Sequence, residues 1–159
     1  MTEFSAFLDN SVLFWSLISC LLAQFFKIIF NFFSTGKIRF GIMFETGGMP
    51  SSHSALITGA TSGIGLELGF DNPIFALAIA ISLIVMYDAS GVRKSAGIQA
   101  AEINKLSRKL DPKSEVDLKE TLGHTKFEVL VGGLLGPLIT LPGIFFIGSP
   151  LKLFELIMN

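Results

Sequence analysis

The sequence predicts an all-α integral membrane protein, a helical bundle of about four to five spans forming one domain over residues 1–159. Three observations support this fold class. Half of the residues are hydrophobic, the mean hydropathy is +0.64, and the apolar residues form separate runs long enough to cross a bilayer. The net charge of −1 and the interleaving of acidic with basic residues give no indication of a nucleic-acid surface.

The first span is predicted over residues 11–33, where Lys27 is the single charge in a phenylalanine-rich apolar run. As a helix, a run of this length crosses the ~30 Å hydrocarbon core of a membrane. A cleaved signal peptide is disfavoured, because acidic Glu3 and Asp9 stand where a basic region would be expected and no small-residue cleavage site follows. We therefore interpret the segment as a retained membrane anchor.

Further spans are predicted over residues 54–68, 73–87 and 127–147. A short hydrophobic segment over 150–158 is either a partial span or an interfacial helix. The 54–68 segment is the least apolar of the spans and is rich in glycine, alanine and serine, the residue types that allow close helix contact inside a membrane bundle. We expect neighbouring helices to shield it from lipid.

Residues 58–65, Thr-Gly-Ala-Thr-Ser-Gly-Ile-Gly, are similar to the dinucleotide-binding fingerprint of short-chain dehydrogenases. Those domains are longer, begin at the fingerprint and use a Tyr-x-x-x-Lys pair. Here the only tyrosine, Tyr87, is followed four residues later by Gly91. Because the fingerprint depends on a βαβ context, we interpret the segment as a helix-packing motif.

The basic residues are unevenly distributed, which indicates the orientation in the membrane. Lys37 and Arg39 follow the first span and eight basic residues lie in the polar loop over 88–126, whereas the turn near residues 67–71 has none. Cytoplasmic loops carry an excess of lysine and arginine. We therefore predict that both loops face the cytoplasm, that the N-terminus lies outside, and that the protein resides in the cell (inner) membrane.

The long polar loop is predicted to contain helices of its own. Residues 96–110 place apolar residues near helical spacing among charged ones, so this segment could lie along the membrane interface. Ser114, with Asp117 three residues later, resembles a capping box and suggests a second helix that stops at Gly123.

The segment Gly-Gly-Met-Pro-Ser-Ser-His-Ser, just before the second span, combines groups that bind oxyanions. The glycine pair ending at Gly48 allows successive backbone N–H groups to converge as an anion nest. Ser51 and Ser52 offer hydroxyls, and His53 can donate a proton near neutral pH. The alternative is that this segment simply begins a helix, with Ser51 as its N-cap.

A second polar group follows the third span, where Asp88 and Arg93 stand five residues apart. The forked guanidinium of Arg93 could bind a phosphate, with Asp88 holding it in place. The alternative is that Arg93 only extends toward water at the membrane border.

A third polar group precedes the fourth span, where His124 and Glu128 are four residues apart. One helical turn could bring them together, so that the carboxylate holds one imidazole nitrogen and makes the other a better nucleophile. The alternative is a capping box formed by Thr125 and Glu128, with His124 an incidental neighbour.

Together these residues resemble the type 2 phosphatidic acid phosphatase and vanadium haloperoxidase superfamily, whose motifs include Pro-Ser-Gly-His, Ser-Arg and His-x-x-x-Asp. Pro-Ser-Ser-His ending at His53 is similar to the first motif, and His124-x-x-x-Glu128 to the last. Ser52 replaces the motif glycine and Glu128 replaces the aspartate. The sequence is most similar to the divergent branch of small membrane proteins, through Gly-Gly-Met-Pro-Ser-Ser-His-Ser-Ala, Tyr-Asp-Ala-Ser-Gly-Val-Arg and Leu-Gly-His-Thr.

The resemblance implies a phosphatidic-acid-phosphatase-like bundle and a metal-independent phosphatase without a cofactor, acting on a lipid phosphate or diphosphate among membrane lipids. In that chemistry His124 attacks phosphorus and forms a phosphohistidine, Glu128 orients His124, and His53 protonates the leaving alkoxide. The side chains and backbone groups expected to bind the substrate are Arg93, Ser51, Ser52, Gly48, Lys27 and Asp88.

Lys27 belongs to this set because a cation inside a span is costly and tends to mark a site, although extension toward the cytoplasmic face is an alternative. Two other functions stay open at this point. One is a non-catalytic membrane protein that retains the fold and binds an anionic head group, and the other is a haloperoxidase.

Overall fold

The computed structural model describes residues 6–7, 9–44, 47–111 and 117–158, and this part of the chain consists of helices and loops, without a β-strand. The predicted all-α fold class is confirmed. The elements are α1 (Ser11–Thr35), a 3₁₀ turn (Phe40–Phe44), α2 (Ser52–Leu68), α3 (Pro73–Ser90), α4 (Val92–Leu110), α5 (Lys126–Pro142), a π-helical turn (Gly143–Ile147) and α6 (Pro150–Met158).

Three helical stretches of the described residues are long and apolar enough to cross a membrane, namely Ser11–Thr35, Pro73–Leu110 and Lys126–Ile147. The remaining helix of the bundle, α2, has 17 residues and is less apolar. It is the central element, because α1, α3 and α5 all pack against it and its contact with α5 is the most extensive. Of the four helices α1, α2, α3 and α5, the least apolar is thus the one that its neighbours cover.

The ends of α1 follow from local capping. The side chain of Asn10 accepts a hydrogen bond from the Leu13 N–H at 2.8 Å, which satisfies one of the free donors of the first turn. Gly36 ends the helix at φ +68°, where its N–H donates to the Phe32 carbonyl. A helix of 25 residues is about 37 Å long, enough to cross the bilayer.

α1 turns small and polar residues toward the bundle and large apolar residues outward. Its buried residues are Ser16, Ser19, Ala23 and Lys27, which recur every three or four positions along one face. Large side chains such as Phe25 are on the opposite, exposed side. This arrangement is typical of a membrane helix, because lipid accepts the apolar side and small residues allow close packing on the other.

The dehydrogenase-like segment lies in the middle of α2, and the described residues before it contain no strand. Its Gly59 and Gly63 are buried against α1 and α5: a Cβ at Gly59 would approach the hydroxyls of Ser19 and Thr140, and one at Gly63 would approach Val12. The segment is therefore a helix-packing motif, as its sequence context indicated.

α5 approaches α2 so closely that backbone meets backbone. A Cβ at Gly132 would overlap the Ser51 carbonyl, and one at Gly136 would overlap the Ala55 carbonyl. The Ser51 N–H also donates to the Glu128 carbonyl at 3.1 Å. Glycines four residues apart on one face of α5 thus set the distance between the two helices that carry the predicted site.

α4 begins at Val92, four residues before the predicted start, and holds the loop that follows it. Asn104 is fully buried: its Nδ2 donates to the Leu118 carbonyl and to Glu120 Oε1, both at 2.8 Å, and its Oδ1 accepts from the Leu118 N–H at 2.9 Å. The predicted helix start at Ser114 lies outside the described residues, and residues 117–123 are not helical. That part of the prediction is wrong, because the Asn104 side chain pairs with the N–H and carbonyl of Leu118, which a helix would pair along its own backbone.

The C-terminal segment returns to the start of α1. The Leu151 N–H donates to Asp9 Oδ1 at 2.9 Å, and the Trp15 indole N–H donates to the Gly148 carbonyl at 2.8 Å. α6 itself has no buried residue and lies on the outside of the bundle.

A matched pair of glycine substitutions tests the contact between α2 and α5. We expect Gly132→Ala to destabilise the protein by roughly 1–3 kcal/mol, because the added methyl group overlaps a rigid backbone carbonyl. Gly133→Ala meets the flexible end of Met86 instead and should have little effect. Thermal unfolding of the two variants in detergent measures the difference, and equal stability would contradict the close approach.

Candidate functional site

Backbone hydrogen bonds join three of the predicted polar segments at one end of the bundle. The Ser51 N–H, just before α2, donates to the Glu128 carbonyl in the first turn of α5 at 3.1 Å. The His124 N–H donates to the Ala89 carbonyl near the end of α3 at 2.9 Å. The segments around His53, Arg93 and His124 are therefore neighbours, although they are far apart in sequence.

Gly123 allows the His124 loop to lie directly on the start of α4. Its φ of +76° is in the left-handed region that favours glycine. A Cβ at this position would also overlap the backbone of Arg93 and Lys94. Any other residue at position 123 would separate His124 from α4.

The Gly48–His53 segment forms the N-terminus of α2. Ser51 Oγ accepts hydrogen bonds from the Ser54 N–H at 3.3 Å and from the Ser54 hydroxyl at 2.9 Å, so Ser51 is the N-cap that the sequence left as an alternative. Ser51 and Ser52 are buried, whereas the His53 side chain in the first turn is exposed. Of this segment, His53 therefore has the side chain most accessible to a substrate.

Glu128 takes part in both contacts that the sequence offered as alternatives, the capping box with Thr125 and the contact with the His124 imidazole. Glu128 Oε2 accepts from the Thr125 N–H at 2.8 Å, and Thr125 Oγ1 accepts from the Glu128 N–H at 3.2 Å, which is a capping box. The same Oε2 lies 3.4 Å from Nδ1 of His124, whose ring is almost fully buried. The capping box thus holds the carboxylate beside the imidazole.

The contact between His124 and Glu128 is longer than an ordinary hydrogen bond, and Nδ1 makes no shorter one within the described residues. Contacts between catalytic groups are often long without substrate and shorten when it binds. If the neutral imidazole carries its proton on Nδ1, that proton faces Glu128 and Nε2 keeps a lone pair.

Lys27 is buried inside the protein, and its side chain is only 2% exposed. It lines a cavity of about 320 Å³ together with Gly48 and Glu128. The side chain therefore does not extend to water at the membrane border, which was the alternative interpretation. A buried ammonium beside an open cavity is suited to an anionic ligand.

Sequence reasoning missed two other cavity residues, Asn31 and Ser34. The signal was present, because Gln24, Lys27, Asn31 and Ser34 are spaced by three, four and three residues in the largely apolar second half of α1. Such spacing places polar side chains on one helix face. Lys27 is therefore one member of a polar face of α1 that also includes Asn31 and Ser34.

Arg93 is held by Asp88, as its Nε lies 2.6 Å from Asp88 Oδ2. The pair is partly exposed, with 48% of the Arg93 side chain and 35% of the Asp88 side chain accessible. The charge of Arg93 acts on the His53 ring, whereas that of Lys27 acts on both imidazoles. Arg93 thus belongs to the His53 side of the site.

The surroundings of His124 keep its imidazole neutral. Burial lowers the pKa of His124 below its usual value, and the positive charge of Lys27 lowers it further, against the opposing effect of the Glu128 carboxylate. A neutral imidazole retains the lone pair that a nucleophile or base needs. Within the described residues, no three His, Cys, Asp or Glu side chains are grouped closely enough to hold a metal ion.

Substitution of Lys27 tests this electrostatic coupling. We expect the pKa of His124 to rise in Lys27→Met, because the ammonium that disfavours a second positive charge is gone while the burial of the ring remains. Titration of ¹⁵N-labelled histidine by NMR, with the full chain in micelles, measures the shift. The chain has two histidines, so His53→Ala assigns the signals. Lys152→Met, in the C-terminal helix, is the control and should leave the titration unchanged. No shift in Lys27→Met would contradict the coupling.

Comparison with known proteins assigns the chain to a family of membrane proteins. The family model described as the Divergent PAP2 family matches residues 8–139. The chain is similar to the uncharacterized membrane protein YuiD of Bacillus subtilis (strain 168), at 39% identity over 153 residues, which covers 87% of this chain and 97% of that protein. No solved structure matches. On this evidence, the chain belongs to the Divergent PAP2 family.

Proposed function

We propose that this membrane protein is a phosphatase that hydrolyses a lipid phosphate or diphosphate through a phosphohistidine on His124. The observation that carries the proposal is the position of Glu128, whose Oε2 lies 3.4 Å from the buried Nδ1 of His124 while the residue also lines a cavity with Lys27. Glu128 thus connects the imidazole proposed as the nucleophile with the cavity that contains the proposed phosphate-binding cation, which supports the proposal.

In the first proposed step, the lone pair of His124 Nε2 attacks phosphorus. The bond from phosphorus to the oxygen of the leaving group breaks, and protonated His53 transfers its proton to that oxygen, which belongs to a lipid alkoxide for a monophosphate and to a lipid phosphate for a diphosphate. Lys27 and Arg93 offset the negative charge on the phosphoryl oxygens, which is the main demand of phosphoryl transfer. The products are a lipid alcohol, or a shorter phosphate from a diphosphate, and a phosphohistidine.

In the second proposed step, water attacks the phosphohistidine and the N–P bond breaks. His53, now neutral, accepts a proton from the attacking water, as microscopic reversibility requires of the acid used in the first step. Inorganic phosphate leaves, and both imidazoles return to their starting protonation states. Glu128 keeps the proton of His124 on Nδ1 in both steps.

An apolar cavity beside the polar one supports a lipid as the substrate. This second cavity has a volume of about 350 Å³ and shares Phe30 with the cavity that contains Lys27. It lies between α1 and α5, where its other lining residues are Phe26, Ile29, Phe33, Pro50, Val131 and Leu135. A phosphate in the polar cavity could therefore carry an apolar tail into the adjoining one.

We also propose that the site faces the cytoplasm and that the protein lies in the cell membrane. The candidate site is formed at the helix ends that adjoin the two basic loops, and the positive-inside rule assigns such loops to the cytoplasm. The substrate would then be met on the inner leaflet.

Hydrolysis of phosphatidic acid and polyprenyl phosphates by the purified protein tests the proposed reaction. We expect His124→Ala to lose at least about 10³-fold in rate, as for the loss of other nucleophiles. His53→Ala should lose about 10²- to 10⁴-fold, the usual contribution of a general acid. A phosphoenzyme that is stable to base and labile to acid should form in the wild type and be absent from His124→Ala. Substrate binding without phosphate release in the wild type would favour the non-catalytic head-group binder instead.

The two roles of Glu128 can be separated by a pair of substitutions. Glu128→Gln keeps an oxygen that can accept from the Thr125 N–H but loses the charge beside His124, so we expect a large loss of activity with little loss of stability. Thr125→Ala removes the other half of the capping box and should cost about 1 kcal/mol of stability with a smaller effect on rate. If Glu128→Gln were as active as the wild type, Glu128 would be a helix cap only.

A further inference from the structure

α4 (Val92–Leu110) stands apart from the bundle that forms the candidate site. A single residue, Gly91, separates it from α3, and the Gly91 dihedrals of φ −108° and ψ −84° interrupt the helix. Its main helix contact is with α3. Much of its surface is therefore free to contact something other than this chain.

One face of α4 is already occupied. Gly97, Ala100 and Asn104 are buried, and they recur every three or four residues. Asn104 binds the backbone of Leu118, and a Cβ at Gly97 would meet the carbonyls of Glu120 and Leu122. This face holds the segment that leads to His124.

A second face of α4 is apolar and exposed. Val92, Ile103, Leu106 and Leu110 share one side of the helix by their spacing, and their exposed fractions are 62%, 49%, 57% and 78%. No part of the described chain covers this stripe, and leaving it in water would be unfavourable.

A third face of α4 is basic. The helix contains five basic residues and one acidic residue, Glu102. The side chains of Lys94, Lys105 and Lys109 share one side of the helix, about a third of a turn from both the buried face and the apolar stripe, and are exposed. A helix with an apolar stripe on one side and lysines on a neighbouring side is typical of segments that lie in the plane of an anionic membrane surface.

The junction with α3 places the start of the apolar stripe beside an exposed aromatic residue of a membrane-spanning helix. A shallow cavity at the junction has a volume of about 430 Å³. It is lined by Tyr87 at the end of α3 and by Val92, Ala96 and Gln99 of α4. The stripe therefore begins on the same side of the junction as Tyr87, which is 75% exposed on a membrane-spanning helix. Aromatic side chains of this kind are enriched at the level of the lipid head groups.

We propose that α4 is an in-plane membrane helix whose apolar stripe enters the interface of an anionic lipid bilayer while Lys105 and Lys109 contact lipid phosphates. The partner is the membrane that the bundle already crosses. Because Asn104 fixes the Leu118 segment to another face of α4, the depth of α4 also sets the height of His124 above the lipid. The membrane contact itself does not depend on the proposed phosphatase activity.

Depth measurements by spin labelling test this inference on the full chain. In a Cys20→Ala background, a nitroxide is attached after Leu106→Cys on the stripe or after Lys105→Cys on the basic face, and both positions are exposed. The labelled proteins are placed in nanodiscs of phosphatidylcholine with phosphatidylglycerol. We expect the ratio of oxygen to water-soluble nickel accessibility to be several-fold higher at position 106 than at position 105. Removal of phosphatidylglycerol should reduce the ratio at position 106.

Two outcomes would overturn the proposal. Equal, water-like accessibility at positions 105 and 106 would mean that α4 extends away from the membrane. Low accessibility to both reagents at position 106, with dipolar broadening between labels, would mean that a second copy of the chain covers the stripe instead of lipid. The accessibility measurements do not require phosphatase activity, so they test the membrane contact of α4 even if the wild-type protein hydrolyses no substrate.

Discussion

The structure depends on the direct contact between the backbones of α2 and α5. Gly132 and Gly136 leave room for the Ser51 and Ala55 carbonyls, and the Ser51 N–H binds the Glu128 carbonyl at 3.1 Å. Lipid provides no hydrophobic driving force between helices, so close packing and hydrogen bonds must join them. This contact sets the spacing between the first turns of the two helices, which carry His53 and Glu128.

The interior of the bundle is polar where the candidate site begins. Ser16, Ser19 and Lys27 face inward on α1, and apolar side chains face outward, so the usual pattern of a soluble helix is inverted. A buried ammonium is expensive unless its surroundings or a ligand compensate for it. Its positive charge also helps to keep His124 neutral. The same charge would therefore serve a nucleophilic imidazole and an anionic substrate.

The fold class and the approach of His124 to Glu128 could be predicted because their signals are local. Apolar runs report membrane spans, and the four-residue separation of His124 and Glu128 places them one helical turn apart. The sequence left a capping box and an orienting carboxylate as alternatives, whereas the structure has one oxygen of Glu128 in both contacts. The predicted helix from Ser114 was wrong over residues 117–123, because buried Asn104 binds Leu118 from 14 residues away.

The sequence by itself determined that this chain is a helical membrane protein and which residues carry reactive groups, because hydropathy and motif spacing are properties of short segments. Only the tertiary structure decided that Lys27 is buried beside the cavity and that the charge of Arg93 acts on His53. It also decided which face of α4 is left uncovered. These features depend on contacts between distant segments, and such contacts exist only after the helices have packed.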